Sequence, residues 1–225
     1  MKNLIFLILI AISTLSFGRT TYAYEDRSTD KSLGETTFGV RSTASLFSSS
    51  GNYVGIGAGW QIRFRLSENL NSEWFADWIV TDLDGLGARY DAHIGESMLI
   101  YPGRQVLKAG RFTPYILGGF CGDYTQIKSN TYFNDLTKGY EKKAKERWSF
   151  ATQLGLGTHY NFTDKFDISF NAQYVLHFGK DLHSEIETNS LGEDYLHIHE
   201  ETGGGLEGHF FFTISANFKL ADLIR

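Results

Sequence analysis

The sequence predicts an all-β chain, an eight-stranded antiparallel up-and-down transmembrane β-barrel. Three observations predict it. First, apolar side chains alternate with polar ones over long stretches: in Phe166–Phe178, Phe166, Ile168, Phe170, Ala172, Tyr174, Leu176 and Phe178 fall on one face, while Asp167, Ser169, Asn171, Gln173, Val175 and His177 fall on the other. A period of two is the signature of a strand. A tilted strand that crosses a bilayer needs roughly 9–11 residues, against about 5–6 for an ordinary one. Second, the chain holds eight such stretches, an even number, as single-chain bacterial outer-membrane barrels have. Third, the longest connections follow strands five and seven, whereas Ser67–Asn71 and Phe162–Lys165 are tight turns after even strands. That parity suits a barrel with both ends in the periplasm.

The elements follow in order. Strand one is expected at Thr37–Leu46, with Phe38, Val40, Ala44 and Leu46 opposite Thr37, Arg41, Thr43 and Ser45; Ser48–Asn52 has the composition of a turn. Strand two, Tyr53–Leu66, sets Val54, Ile56, Ala58, Trp60, Ile62, Phe64 and Leu66 against three glycines, Gln61, Arg63 and Arg65. Two arginines on one face suit neither an apolar core nor lipid, but they do suit a polar lumen. Strand three, Ser72–Thr81, sets Trp74, Ala76, Trp78 and Val80 against Glu73, Asp77 and Thr81. Strand four, Ala88–Tyr101, sets Tyr90, Ala92, Ile94, Met98 and Ile100 against Arg89, Asp91, His93 and Ser97. Glu96 falls on its apolar face, which points to a bulge or a shifted register. Strand five, Pro114–Gln126, is glycine-rich and carries Cys121 and Asp123 on its polar face. A charged loop is expected at Lys128–Glu146, then strand six at Arg147–Asn161 and strand seven at Phe166–Phe178. An acidic, histidine-bearing loop is expected at Gly179–Leu206, then strand eight at Gly208–Leu220, where Phe211 alone breaks the alternation.

Residues 1–23 read as a signal peptide: Lys2 opens it, Leu4–Ile12 is its apolar core, and Thr21-Tyr22-Ala23 is a small-x-small cleavage site. Residues 24–35 read as a flexible polar segment and 36–225 as the barrel. Removing the signal leaves 19 basic against 26 acidic side chains, a net charge of −7 with no basic stripe, which argues against nucleic acid as a partner. The single cysteine, Cys121, excludes an intrachain disulfide framework. Only 2 prolines in the chain leave long ladders uninterrupted. Aromatic residues gather at the ends of the apolar faces (Trp148 and Tyr160, Phe166 and Phe178, Phe210 and Phe218), as interfacial girdles do.

The run from Leu154 to Lys165, followed by an alternating strand, resembles the penultimate hairpin of small outer-membrane barrels of the OmpA, OmpX and OmpW type. Phe112-Thr113-Pro114-Tyr115-Ile116-Leu117-Gly118-Gly119 is similar to a strand start those proteins share. The resemblance covers the chain from about residue 36 and departs at the end, where Phe218 is followed by Lys219-Leu220-Ala221-Asp222-Leu223-Ile224-Arg225 in place of a terminal aromatic. It implies the outer membrane of a Gram-negative-type cell as location. The implied partners are outer-membrane lipid, lipopolysaccharide and the barrel-insertion machinery.

An eight-stranded barrel is just wide enough to be filled by its own side chains. The polar faces bring Arg41, Arg63, Arg65, Glu73, Asp77, Arg89, Asp91, Asp123, Arg147 and Lys219 to the interior, where both signs of charge are present. A salt-bridged plug is the expected arrangement, and a narrow porin-like path the alternative. In the last loop His183, His197, His199 and Glu200, in a cluster with Glu185, Glu187, Glu193, Asp194 and Glu201, are candidate ligands for a divalent metal, weighed against an ordinary solvated loop because no spacing fixes a coordination geometry. Lys138, Lys142, Lys143, Lys145 and Arg147 are candidates for lipopolysaccharide phosphates, again weighed against a charged loop that also holds Glu141 and Glu146. No cofactor and no catalytic residue is expected. The leading reading is a non-enzymatic surface barrel that serves envelope integrity or binds an external ligand or protein through its loops. Two others compete: a lipid-modifying enzyme using His177, Ser184 and Glu185, and a secreted soluble barrel of lipocalin type, which would turn its apolar face inward.

Overall fold

The computed structural model describes residues 33–47, 53–103, 105, 109–134 and 139–222. The expected signal peptide, nearly all of the polar segment after it, the Ser48–Asn52 turn and Lys138 lie outside these residues. Eight strands follow in chain order: β1 Glu35–Phe47, β2 Val54–Ser67, β3 Leu70–Asp82, β4 Gly87–Ile100, β5 Arg111–Asn134, β6 Gly139–Thr163, β7 Phe166–Thr188 and β8 Asp194–Asp222. Each pairs antiparallel with its sequence neighbours, and β1 pairs with β8, so the sheet closes into a barrel. Closure leaves no free edge, which is what allows strands to sit in lipid.

The alternation sorts side chains between outside and inside. Val40, Ile56, Trp60, Trp78, Ile94, Leu154, Phe170, Phe212 and Ile214 are exposed on the outer wall. The residues between them are buried: Arg41, Thr43, Gln61, Arg63, Asp77, Asp91, Asp123, Gln153, Asn171, Thr213 and Ser215. An outer wall of this kind, left uncovered, is a lipid-facing surface. Its rim on the side of both termini is a chain of rings, Phe112–Tyr160, Tyr160–Phe162, Phe162–Phe166 and Phe166–Phe218, at centroid separations of 4.8, 4.8, 5.7 and 4.8 Å. The opposite rim carries Tyr124 against Trp148 at 4.9 Å and Trp78 against Tyr90 at 6.2 Å. Along β6 the two rims are marked by Tyr160 and Trp148. Twelve residues at roughly 3.3 Å each, tilted by about 40°, separate them by about 30 Å, close to the height of a barrel's apolar band.

Glu96 keeps its place on the outer face without a bulge, since β4 runs in unbroken register against β3 and β5. Its carboxylate accepts a hydrogen bond from Ser72 Oγ at 2.7 Å. Phe211 points inward and is buried with Phe75, Ile79, Cys121, Ala151 and Val175 in an apolar layer across the lumen. Glycine makes room for that filling. A Cβ on Gly59 would stand 2.2 Å from Asp77 Oδ1, and one on Gly57 would stand 2.6 Å from Ile79 Cγ1.

Two expectations are corrected. The stretches Lys128–Glu146 and Gly179–Leu206 are not loops: β5 and β6 stay paired out to Asn134↔Gly139, and β7 and β8 out to Thr188↔Asp194. Charge and a parity shift hid these extensions. The register slips between Lys180 and Leu182, so the inward face passes from odd to even positions of β7. The barrel also begins with Glu35, counted above in the flexible segment; the Glu35 carboxylate lies 2.6 Å from Lys219 Nζ of β8, across the β1–β8 seam.

Candidate functional site

The interior charges form linked groups. In the half nearer the termini, Arg41 Nε lies 3.0 Å from Asp77 Oδ1, and Arg63 Nε bonds Glu73 Oε2 at 3.1 Å while its Nη1 lies 3.6 Å from Asp167. Asn217 Nδ2 donates to Asp167 Oδ1 at 2.7 Å, and Gln61 Nε2 donates to Asn217 Oδ1 at 2.7 Å. His159 bridges Tyr101 OH and Ser169 Oγ, each at 2.8 Å, with Tyr115 stacked on its ring at 4.5 Å. In the other half Arg89 meets Asp91 at 3.0 Å and Glu207 at 3.1 Å, and Arg147 Nη2 meets Glu207 at 2.5 Å. Between them Asp123 holds His93 Nε2 at 3.1 Å on one oxygen and His177 Nδ1 at 2.9 Å on the other. Charges taken from water must be paired in this way or the fold loses several kcal/mol per ion.

Of the ten interior residues named from sequence, Arg41, Arg63, Arg65, Glu73, Asp77, Arg89, Asp91 and Asp123 are buried. Arg147 and Lys219 are half-buried toward opposite ends of the barrel. Sequence reasoning left Glu35, Asp167, Glu207 and four histidines, His93, His159, His177 and His209, out of the network. The same alternation that selected Asp123 also marks His93, Asp167, His177 and His209. Glu207 falls just before the expected strand eight, which starts at Gly208, whereas β8 starts at Asp194. His209 Nε2 lies 2.9 Å from Glu207 Oε1.

Toward the end away from the termini the buried side chains are of a different kind and form an apolar lid. Leu83, Ile127, Leu182, Leu196 and Ile198 are buried together, with Tyr53 and Leu86 packed against them. At the other end a cavity of about 20 Å³ lies among Glu35, Thr37, Arg63, Arg65, Asn71, Gln105, His159, Asn161 and Asp167. That is space for about one water.

Above the apolar lid the β7–β8 hairpin continues. Its register slip turns Leu182 and Ser184 inward and sets His183, Glu185 and Glu187 outward, opposite His199, His197 and Tyr195. Glu187 Oε1 accepts from His197 Nδ1 at 2.9 Å, and its Oε2 accepts from Tyr195 OH. The Tyr195 hydrogen bond, aided by His197, holds the Glu187 carboxyl below its ordinary range. His197 and His199 stack at 4.1 Å, and His183 and His199 at 5.5 Å. Three of the four metal candidates are therefore together, joined by Glu187; the Glu200 side chain lies outside the described residues. The proposed basic cluster is split: Lys143, Lys145 and Arg147 alternate with the exposed Lys142. Arg147 is turned to Glu207.

The His177, Ser184 and Glu185 set is not assembled. His177 is buried against Asp123, Ser184 is buried beyond the register slip, and Glu185 is exposed on the opposite face. Adjacent residues of a strand point apart, so Ser184 and Glu185 cannot converge on one substrate. The lipocalin alternative is also overturned, because the aromatic face is the outer one.

Two solved structures share this architecture. Neisserial surface protein A superposes with a TM-score of 0.55 at 11% identity, covering 82% of this chain and 97% of its own. A major outer membrane protein from Thermus thermophilus gives 0.55 at 12% identity, covering 82% and 99%. This is the fold of the small outer-membrane β-barrels. No protein-family model and no curated protein matches the sequence. In an outer-membrane barrel the short turns are periplasmic and the longer connections extracellular. The turns just before Leu70 and Phe166, the start of β1 and the end of β8 thus mark the periplasmic rim, and the tall β5–β6 and β7–β8 hairpins stand on the outer side.

Proposed function

We propose that this chain is a non-enzymatic outer-membrane protein whose barrel is a sealed anchor, and that it acts at the cell surface by presenting the β5–β6 and β7–β8 hairpins to an external ligand or protein. The observation that carries the reading is the inequality of the strands. β1 to β4 have 13 or 14 residues, enough to cross the bilayer, whereas β5 to β8 have 24, 25, 23 and 29. Roughly ten residues beyond the span at about 3.3 Å per residue make a two-hairpin wall tens of ångströms tall on one side of the mouth. The ion pairs and the apolar lid support a barrel that holds this wall and passes nothing.

Two measurements test it. In planar bilayers the inserted chain is expected to give no single-channel steps; regular steps would refute the sealed interior. Replacing residues 180–204 by an Asn-Gly turn is expected to keep heat-modifiable gel mobility while abolishing attachment of expressing cells to immobilised matrix proteins and glycans. Attachment equal to that of cells carrying the full-height chain would refute the role of the hairpin.

A further inference from the structure

We propose that the outward face of the β7–β8 hairpin is a binding site for a first-row divalent transition ion, zinc foremost, with Glu187 Oε1, His197 Nδ1 and His199 Nε2 as ligands. One ligand atom from each of these three residues lies within 4.8 Å of the other two. Glu187 Oε1 is 2.9 Å from His197 Nδ1 and 3.8 Å from His199 Nε2. Bonds of about 2.0–2.1 Å to a tetrahedral ion separate the ligand atoms by roughly 3.3–3.4 Å, so small side-chain shifts close the set. Imidazole with carboxylate selects zinc, copper or nickel over magnesium and calcium, which prefer all-oxygen sites.

A second observation is independent of the cluster's composition. His199 Nε2 is hidden from solvent yet has no hydrogen-bond partner. It faces Glu185 Oε2 at 4.0 Å and Glu187 Oε1 at 3.8 Å, too far for a hydrogen bond and near enough to share an ion. The surroundings are those of a ligand set as well. Tyr195 OH holds Glu187 Oε2, orienting the carboxylate so that Oε1 is turned to the imidazoles, the outer-shell role that metal ligands need. Three protein ligands leave one coordination position for water or for an incoming group. The interior trio His93, Asp123 and His177 offers similar atoms, but all three side chains are at most 3% exposed and lie beneath the apolar lid. The outer set sits on partly exposed side chains, His197 at 33% and His199 at 37%.

The inference rests on the proposed function only for the hairpin's place outside the membrane. The test is calorimetric titration of the full chain, inserted in lipid vesicles, with zinc chloride alone. One ion per chain at micromolar or tighter affinity is expected. The His197→Ala, His199→Ala double variant should lose it, and Glu187→Gln should weaken it at least tenfold. Cobalt(II) should give a tetrahedral visible absorption band that the double variant lacks. Both variants alter the exposed hairpin, and heat-modifiable mobility verifies that the barrel is intact. No saturable binding, or stoichiometric binding that survives the double variant, overturns the proposal. A barrel that conducts ions but binds zinc here would refute the sealed anchor and leave this site standing.

Discussion

At the scale of the residue, Glu207 ties two arginines and a histidine together. It takes Arg89 and Arg147 on its two oxygens and has His209 Nε2 2.9 Å away. Removing one partner of a buried pair costs more than the pair contributes, because a buried charge that loses its counterion gains no water in exchange. Glu207→Leu takes a carboxylate from Arg147 and Arg89 at once. We expect it to lower unfolding free energy by about 3–5 kcal/mol, read from urea titration of the barrel in vesicles. A loss under about 1 kcal/mol would mean that water reaches these groups and that the interior is not closed. The histidines show what a residue-level reading of sequence misses. His93 and His177 stand at positions that the alternation assigns to the lumen, but their partner Asp123 is on a strand adjacent to only one of them. Face follows from a period of two; pairing across the lumen depends on tilt and stagger, which no local pattern records.

At the scale of the element, the strands within the membrane were legible because lipid imposes a strict rule: one face greasy, the other not, over a length set by the bilayer. Above the membrane the rule relaxes. There the wall is held by the ladder, by scattered apolar contacts such as Leu182 with Leu196 and Ile198, and by tip geometry such as Asn189 Oδ1 accepting from the amides of Leu191 and Glu193. Hydropathy carries little of this, so the hairpins read as loops, and the candidate metal ligands were named without the register that places Glu187 among them. The slip between Lys180 and Leu182 decides which face they occupy. Single-cysteine labelling tests it, since native Cys121 is buried. Glu185→Cys should react with a membrane-impermeant maleimide at least tenfold faster than Ser184→Cys. Deleting Asp181 should reverse that order, because a shift of one residue exchanges the two faces. Equal rates in the unshortened hairpin would contradict the register.

At the scale of the whole molecule, the apolar belt should show a depth profile. Phe212 and Phe218 both stand on the outer face of β8, with Phe212 near mid-height and Phe218 in the periplasmic ring of aromatics. Phe212→Arg is expected to destabilise the inserted barrel by about 2–4 kcal/mol from the charge alone, and Phe218→Arg by no more than about 1 kcal/mol, measured by reversible unfolding in vesicles. Equal penalties would remove the reason for placing the membrane between the two aromatic rims.

The contact between Glu35 and Lys219 joins the first strand to the last. On a ribbon still waiting for its two borders to meet, these opposite charges are a full chain length apart and each stays solvated. Only when the cylinder shuts are they brought together, alongside Thr43 with Thr213 and Gln61 with Ser215. The polar clasp is therefore a product of completed insertion, which gives the assembled state a selective hold on its own closure without favouring any half-zipped intermediate.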